Sequence, residues 1–132
     1  MTSSTPFDVF AARYVSLATY RRSGAEVRTP VWIAGEGSRH FVFSAGSAGK
    51  VKRIRANGRA RLARCNGRGT VSSAWIDARA RIVTEPETVA LAYRLLRDKY
   101  GWSMRLADLF SKLTGRYDQR AVLEIETGSA EG

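Results

Sequence analysis

Acidic side chains are what this sequence is shortest of. It has 12 of them against 22 lysines and arginines, a formal net charge of +10. From Gly37 to Ile76 there is none. Such a balance calls for an anionic partner, whether phosphate groups, nucleic acid or a membrane face. Cysteine and histidine are nearly missing as well. A single cysteine, Cys65, excludes an intramolecular disulfide, and a single histidine, His40, leaves no cysteine–histidine set for a structural metal. No stretch reaches the roughly 20 apolar residues of a membrane span. Met1 to Thr5 is polar, with no apolar signal region. The expectation is a soluble, cytoplasmic protein. The few carboxylates are scattered, so none pair for glycosidase-like chemistry, and no glycine-rich loop of the P-loop or Rossmann type occurs. Cys65 sits in a strand pattern with no histidine near it and reads as a small core or edge residue. His40, beside Arg39, reads as a structural histidine before it reads as a general acid or base. If the chain is an enzyme, a cofactor carries the chemistry.

What is present is enough for one core. At 132 residues the chain is read as a single domain, 1–132, with a loose polar tail from about 128. Phe7, Phe10 and Ala11 share one side of a short helical turn after Pro6. Alternation then predicts strands over Tyr14 to Arg22, Glu26 to Ala34 and Arg39 to Ser44. Turns at Ser23-Gly24 and Gly35 to Ser38 join them. Pro30 argues for an edge position of the second strand or a break in its ladder, because proline has no N–H to give a ladder. Further strands follow at Arg59 to Cys65 and Val71 to Val83, the latter with Ala74, Ile76, Ala78, Ala80 and Ile82 on one apolar face. Thr84-Glu85-Pro86-Glu87 reads as a capping box. It opens a helix whose apolar face is Val89, Ala92, Tyr93, Leu96 and Tyr100, and Gly101 stops it. A second helix over Ser103 to Leu113 carries Leu106, Leu109, Phe110 and Leu113 on one side, and Gln119 to Thr127 reads as a closing strand. Consecutive short strands with tight turns, one helical insertion and a last strand favour a barrel that is mainly β.

The stretch that organises the chain is Phe43 to Gly58. An apolar strand runs into a small turn, Ala45-Gly46-Ser47-Ala48-Gly49, and then into a short basic helix ending at Asn57-Gly58. Free amides at a helix start, with lysine and arginine beside them, suit a phosphate. A solvated basic face is the plain alternative.

Three stretches in this order resemble one family: Thr29-Pro30-Val31-Trp32 after a Ser-Gly hairpin, Lys50-Val51-Lys52-Arg53-Ile54 in the basic helix, and Lys99-Tyr100-Gly101-Trp102 at the end of the helical insertion. The chain resembles, from about Phe7 to Thr127, the split β-barrel flavin and deazaflavin oxidoreductases related to pyridoxamine 5′-phosphate oxidase, and within them the coenzyme F420-dependent branch. Many relatives carry Asn-Pro where this chain has Asn57-Gly58, and glycine stops the helix all the same. The resemblance implies a six-stranded split β-barrel and a homodimer with the cofactor at the subunit interface. It implies Lys50 as the phosphate contact, with Val51 and Lys52 beside it and Arg53 and Arg55 facing the phosphate or a glutamyl tail. Thr29, Val31 and Trp32 would line the ring, with Ser44 at the strand end near it. Trp102, Met104 and Arg105 would come from the other subunit. The activity implied is F420-dependent hydride transfer to a small electrophilic substrate, with no catalytic side chain matched. FMN in the same fold, a non-catalytic cofactor carrier and a small nucleic-acid-binding barrel are the other readings. The last rests on the charge and on Tyr14, Tyr20, Trp32, Phe41 and Phe43, which read first as core.

Overall fold

A computed structural model describes residues 8, 9, 11–113 and 120–127. Within that range lie strands β1 (Tyr14–Tyr20), β2 (Glu26–Val31), β3 (Ala34–Glu36) and β4 (Arg39–Ala45), helix α1 (Gly49–Asn57), strands β5 (Arg59–Cys65) and β6 (Ile76–Val83), helices α2 (Pro86–Tyr100) and α3 (Trp102–Leu113), and strand β7 (Arg120–Thr127). The expected turn carrying Phe7 and Phe10, the residue Gln119 and the tail after Thr127 lie outside the described residues.

All strand pairings are antiparallel, in the order β2-β1-β5-β6-β7-β4-β3. The two outermost strands, β2 and β3, are consecutive in the chain, with only Trp32 and Ile33 between them. A sheet whose opposite edges are joined by so short a link must curl. The result is a curled half-barrel of seven strands, consistent with the split-barrel type. The expected single strand Glu26 to Ala34 is thus two strands that serve opposite edges. Pro30 lies in β2, which pairs only with β1.

Two further expectations are corrected. The strand predicted over Val71 to Val83 forms a ladder only from Ile76, with Val71 making a lone bridge to Cys65. The Ser73 hydroxyl accepts the Arg64 N–H at 2.8 Å, and Trp75 turns between the guanidiniums of Arg28 and Arg61, 4.6 and 4.8 Å from its ring. Side-chain bonds to backbone compete with a ladder in this way. Nor does the capping box form. Pro86 occupies the first turn of α2, so Glu85, extended at φ −65° and ψ 124°, becomes the N-cap and makes no side-chain cap bond. Proline favours the first helical turn and forces its predecessor out of helical geometry.

Period-two alternation gives the sheet two apolar faces and hence two cores. One joins Val15, Leu17, Val31, Val42, Leu62 and Leu123 to Val51 and Ile54 of α1. The other packs Phe41, Val83 and Val122 against Ala92, Tyr93, Leu96, Tyr100 and Met104 of the two later helices. Each large side chain so buried contributes about 1.5–3 kcal/mol.

The Trp32–Ile33 link leaves its backbone without ladder partners, and the end of α2 supplies them. The Tyr100 hydroxyl accepts the Ile33 N–H at 2.9 Å and donates to the Arg13 carbonyl at 2.8 Å. Lys99 Nζ donates to the Ile33 carbonyl at 2.6 Å and to the Val9 carbonyl at 3.3 Å. The Trp32 ring stacks on the Tyr100 ring, 4.8 Å between centroids at 12°. Tyr100→Phe keeps the stack and strips the Ile33 N–H of its partner. We expect a loss of about 1–3 kcal/mol in urea unfolding, with the denaturant slope unchanged.

His40 on β4 lies opposite Gly35 of β3 and is only 2% exposed. A Cβ on Gly35 would come within 2.7 Å of the His40 Nδ1, so the close pairing needs glycine. Burial, and then the charge of Lys99, lower the His40 pKa to about 4 from 6.5. The unfolded chain therefore takes up a proton that the folded chain refuses. Stability is whole above pH 6.5 and falls as the pH drops toward 4. Urea unfolding of wild type and His40→Gln across this window should diverge by about 2–4 kcal/mol, the wild type losing more.

Candidate functional site

The charge-rich segment predicted from sequence folds as expected into β4, a tight turn and α1. The Ala48 N–H closes the turn onto the Ala45 carbonyl at 3.0 Å. Ala48 is the N-cap, extended at φ −64° and ψ 149°, and it has no side chain that could cap. The Val51 and Lys52 amides both point to the Ala48 carbonyl, at 3.1 and 3.4 Å. The Gly49 and Lys50 amides have no partner among the described residues. The first turn carries no acid, and Lys50 adds a cation where the helix dipole is already positive. At the other end Arg55 complements the dipole, and Gly58, at φ 71°, returns its N–H to the Ile54 carbonyl.

Arg53, one turn on, folds back over this start. Its Nε donates to the Thr19 hydroxyl of β1 at 2.7 Å. Its Nη1 would lie 2.7 Å from a Cβ on Gly49, so the guanidinium fits only because position 49 has no side chain. Burial and then Arg21 lower the Arg53 pKa, while burial and then Arg53 lower that of Lys50. Arg53 is thus repelled by Arg21 on one side and repels Lys50 on the other. Among the described residues no carboxylate pairs with any of the three. Groups of this kind suit an anion with two or more oxygens, and the arrangement is called the cradle below.

Other carboxylates are placed differently. Glu26 takes Arg28 and Arg61 at 2.7 and 2.6 Å, Glu124 takes Arg39 and Arg81 at 3.2 and 2.9 Å, and Asp108 takes Arg97 and Arg120 at 3.0 and 2.8 Å. Burial alone would raise the Glu26 carboxyl, but hydrogen bonds from Arg61, Arg28 and Tyr20 outweigh it and bring it down to about 2.

The structure brings some expected site residues together and separates others. Lys50 and Arg53 form the cradle. Lys52 and Arg55 are exposed on the outer side of α1, and the Val51 side chain is fully buried in the core. Thr29 and Val31 share one face of β2, whereas Trp32 belongs to the opposite core, so alternation keeps the three from lining one surface. Ser44 is buried, its hydroxyl bonded to the Ala45 carbonyl at 3.2 Å. Trp102 is 71% exposed and Arg105 is exposed, but Met104 is wholly enclosed in its own chain and reads as packing. Cys65 is buried, and burial raises its pKa, which suits an inert thiol. Tyr20 and Phe41 are buried, and Tyr14, Trp32 and Phe43 half-buried, so these rings form no open stacking platform. No group of three potential metal ligands occurs among the described residues. No described helix is long and apolar enough to cross a membrane. Gly49, Arg21 and Thr19 are the cradle residues that sequence reasoning missed. Gly49 stands four residues before Arg53, a spacing that puts them on one helix face. Nothing local points to Thr19 or Arg21.

The comparisons with known proteins agree with this fold. HutZ, the heme storage protein from Vibrio cholerae, aligns at a TM-score of 0.70 and 12% identity, covering 92% of this chain and 86% of its own. Atu2129 from Agrobacterium tumefaciens, of unknown function, aligns at 0.68 and 21% identity over 90% of this chain, which spans 50% of that protein. A FAD-binding protein from Mesorhizobium loti aligns at 0.58 and 22% identity, covering 92% of this chain and 85% of its own. No curated protein matches the sequence. The pyridoxamine 5′-phosphate oxidase family model matches residues 9–130, nearly the full length of the fold described above. The chain therefore belongs to the pyridoxamine 5′-phosphate oxidase family.

Proposed function

We propose that the chain is an F420-dependent oxidoreductase whose α1 cradle holds the phosphate of the cofactor. The observation that carries this reading is the uncompensated positive charge at the start of α1, where the Gly49 and Lys50 amides, the Lys50 ammonium and the Arg53 guanidinium converge without a carboxylate. The residues present fit a phosphate, because the glycine at position 49 lets the Arg53 guanidinium lie against the helix start beside the two amides. Lys52 and Arg55 extend the positive surface along the exposed side of the helix. That extension favours a ligand with carboxylates beyond its phosphodiester, as in F420, over FMN with its single phosphate. When bound, such a group supplies hydride chemistry. The chain's own part is to fix the phosphate end, and thereby the register of the ring against the substrate. The substrate is a small electrophile.

FMN is the second reading, and the FAD-binding neighbour supports it at the level of cofactor class. A heme reading by analogy with HutZ is disfavoured, because the one histidine is 2% exposed and its low pKa reflects a closed site.

We infer a homodimer as well. Trp102, Leu106, Leu109, Phe110 and Leu113 are all more than half exposed and lie on one apolar side of α3. A second copy covering this side would place Trp102 and Arg105 at the interface. Reversing the apolar character with Leu109→Glu and Leu106→Glu should shift the sedimenting species from dimer to monomer. A monomeric wild type would sink the homodimer.

The cofactor reading is tested by fluorescence titration of cofactor-free protein with F420 and FMN in parallel. Lys50→Ala and Arg53→Ala should each weaken F420 binding about tenfold to a hundredfold, from loss of a charge-assisted contact. Gly49→Ala should weaken it while leaving the melting temperature unchanged, because it displaces only the tip of Arg53. Tighter binding of FMN than of F420 would assign the chain to the flavin reading. Binding of neither would remove the cofactor from the account.

A further inference from the structure

A cavity of about 280 Å³ lies over β5 and β6, lined by Arg59, Arg61, Asp77 and Arg79 together with Tyr20 of β1. It is just smaller than the usual ligand pocket, so its occupant is small. Arg59 and Arg61 flank Ala60, and Asp77 and Arg79 flank Ala78. Ala60 belongs to the core that includes Val51 and Ile54 of α1, and Ala78 packs against that core. Alternation therefore puts the charged side chains on the sheet face opposite α1. The cavity shares no residue with the cradle. We propose that it binds the carboxylate of a small polar acid that also carries a hydroxyl group, a hydroxy acid in chemical class.

The same face shows what pairs of arginines hold there. Glu26 lies between Arg28 and Arg61, and Glu124 between Arg39 and Arg81. Arg61, Arg81 and Glu124 alternate with Leu62, Ala80 and Leu123 of the α1 core, so both brackets share the face of the cavity. Arg59 and Arg79 stand directly opposite each other across β5 and β6. Like charges at such positions are unfavourable. Neither makes an ion pair among the described residues. Arg59 lies over the Tyr20 ring, 4.3 Å from the centroid, which positions its charge without neutralising it. A carboxylate between Arg59 and Arg79 repeats the bracket that the chain builds twice with its own residues.

The remaining charges set the rest of the ligand. Arg61 is already engaged, with Nη2 on Glu26 at 2.6 Å and Nε on the Tyr20 hydroxyl at 2.9 Å. Two further carboxylates stand near. Asp77 is in register with Arg61, and Glu126 of β7 is in register with Arg79. Both are exposed, and neither makes an ion pair among the described residues. Only Asp77 lines the cavity. Two guanidiniums and one carboxylate without ion pairs suit a monoanion better than a dianion. An ionised carboxylate only accepts hydrogen bonds, so Asp77 calls for a donor on the same ligand, and a hydroxyl supplies it.

The test is titration of the full chain at low salt with lactate, lactamide and propionate, followed by NMR at the backbone amides. Lactate should shift the Ala60 and Ala78 amides with a saturable curve. The Gly49 and Lys50 amides report on the cradle separately, so failure here and failure of the cofactor reading are told apart. Lactamide, which lacks the charge, should bind at least about tenfold more weakly, and propionate, which lacks the hydroxyl, about threefold more weakly. Arg79→Gln, at an exposed strand position, should weaken lactate at least about threefold with circular dichroism unchanged. Asp77→Ala should remove the preference for lactate over propionate. The two wild-type preferences test the proposal even where a variant fails to fold. Equal affinity for lactate and either analogue, shifts confined to the cradle amides, or full lactate binding in folded Arg79→Gln would each overturn it.

Discussion

The grip of Lys99 and Tyr100 on Ile33 is the contact on which the rest of the structure depends. An antiparallel sheet whose first and last edges are adjacent in the chain needs a place where the backbone leaves one ladder and enters another. At that place N–H and C=O groups lose their sheet partners, and burying them unpaired is costly. Here the last turn of α2 provides a hydroxyl that accepts and an ammonium that donates. Both side chains feel the desolvation. Burial lowers Lys99 to about 8, with Asp8 and Arg13 as smaller opposing influences, and burial raises Tyr100 to about 12. Since one contact fixes both the curl of the sheet and the docking of the helical insertion, the two cores are coupled through it. The same Lys99 charge helps to keep His40 neutral.

Electrostatics explains how so basic a chain folds. Much of its surplus is organised as a carboxylate between two arginines, at Glu26, Glu124 and Asp108. Each unit buries or half-buries the carboxylate. A bracketed carboxylate keeps its charge under burial because several donors satisfy it at once. The start of α1 has the cations of such a unit and lacks its carboxylate. That difference sets the start of α1 apart from the rest of the basic surface, and there burial, with a neighbouring arginine as the smaller cause, lowers the pKa values of Lys50 and Arg53.

Strand and helix positions were legible because alternation and helical spacing are local. Pro30 gave away the edge strand, and Asn57-Gly58 gave away the end of α1. The β2–β3 break was hidden, because Val27, Thr29, Val31 and Ile33 keep perfect alternation through it and the bend is imposed by Tyr100, 67 residues away. The same alternation sends Val31 into one core and Trp32 against the other. Trp75 was read into a strand because nothing in its neighbourhood reveals the two arginines that draw it out, Arg28 and Arg61 on other strands. At the candidate site the helix start and Lys50 could be read directly. Thr19 and Arg21 could not, since they reach α1 only through the packing of that helix on β1.

The two unfinished surfaces of the molecule bear on each other. The apolar side of α3 favours association, but association brings together chains that each carry a net charge of +10. Screening shortens that repulsion to about 8 Å at physiological ionic strength, so only charges near a contact resist it. An anion held in the cradle neutralises charge there. If the cradle lies close to the dimer contact, as the family resemblance implies for the cofactor, each bound anion lowers the cost of association. By linkage, association then raises the affinity for the anion by the same factor. In that arrangement assembly and anion binding would reinforce each other through electrostatics.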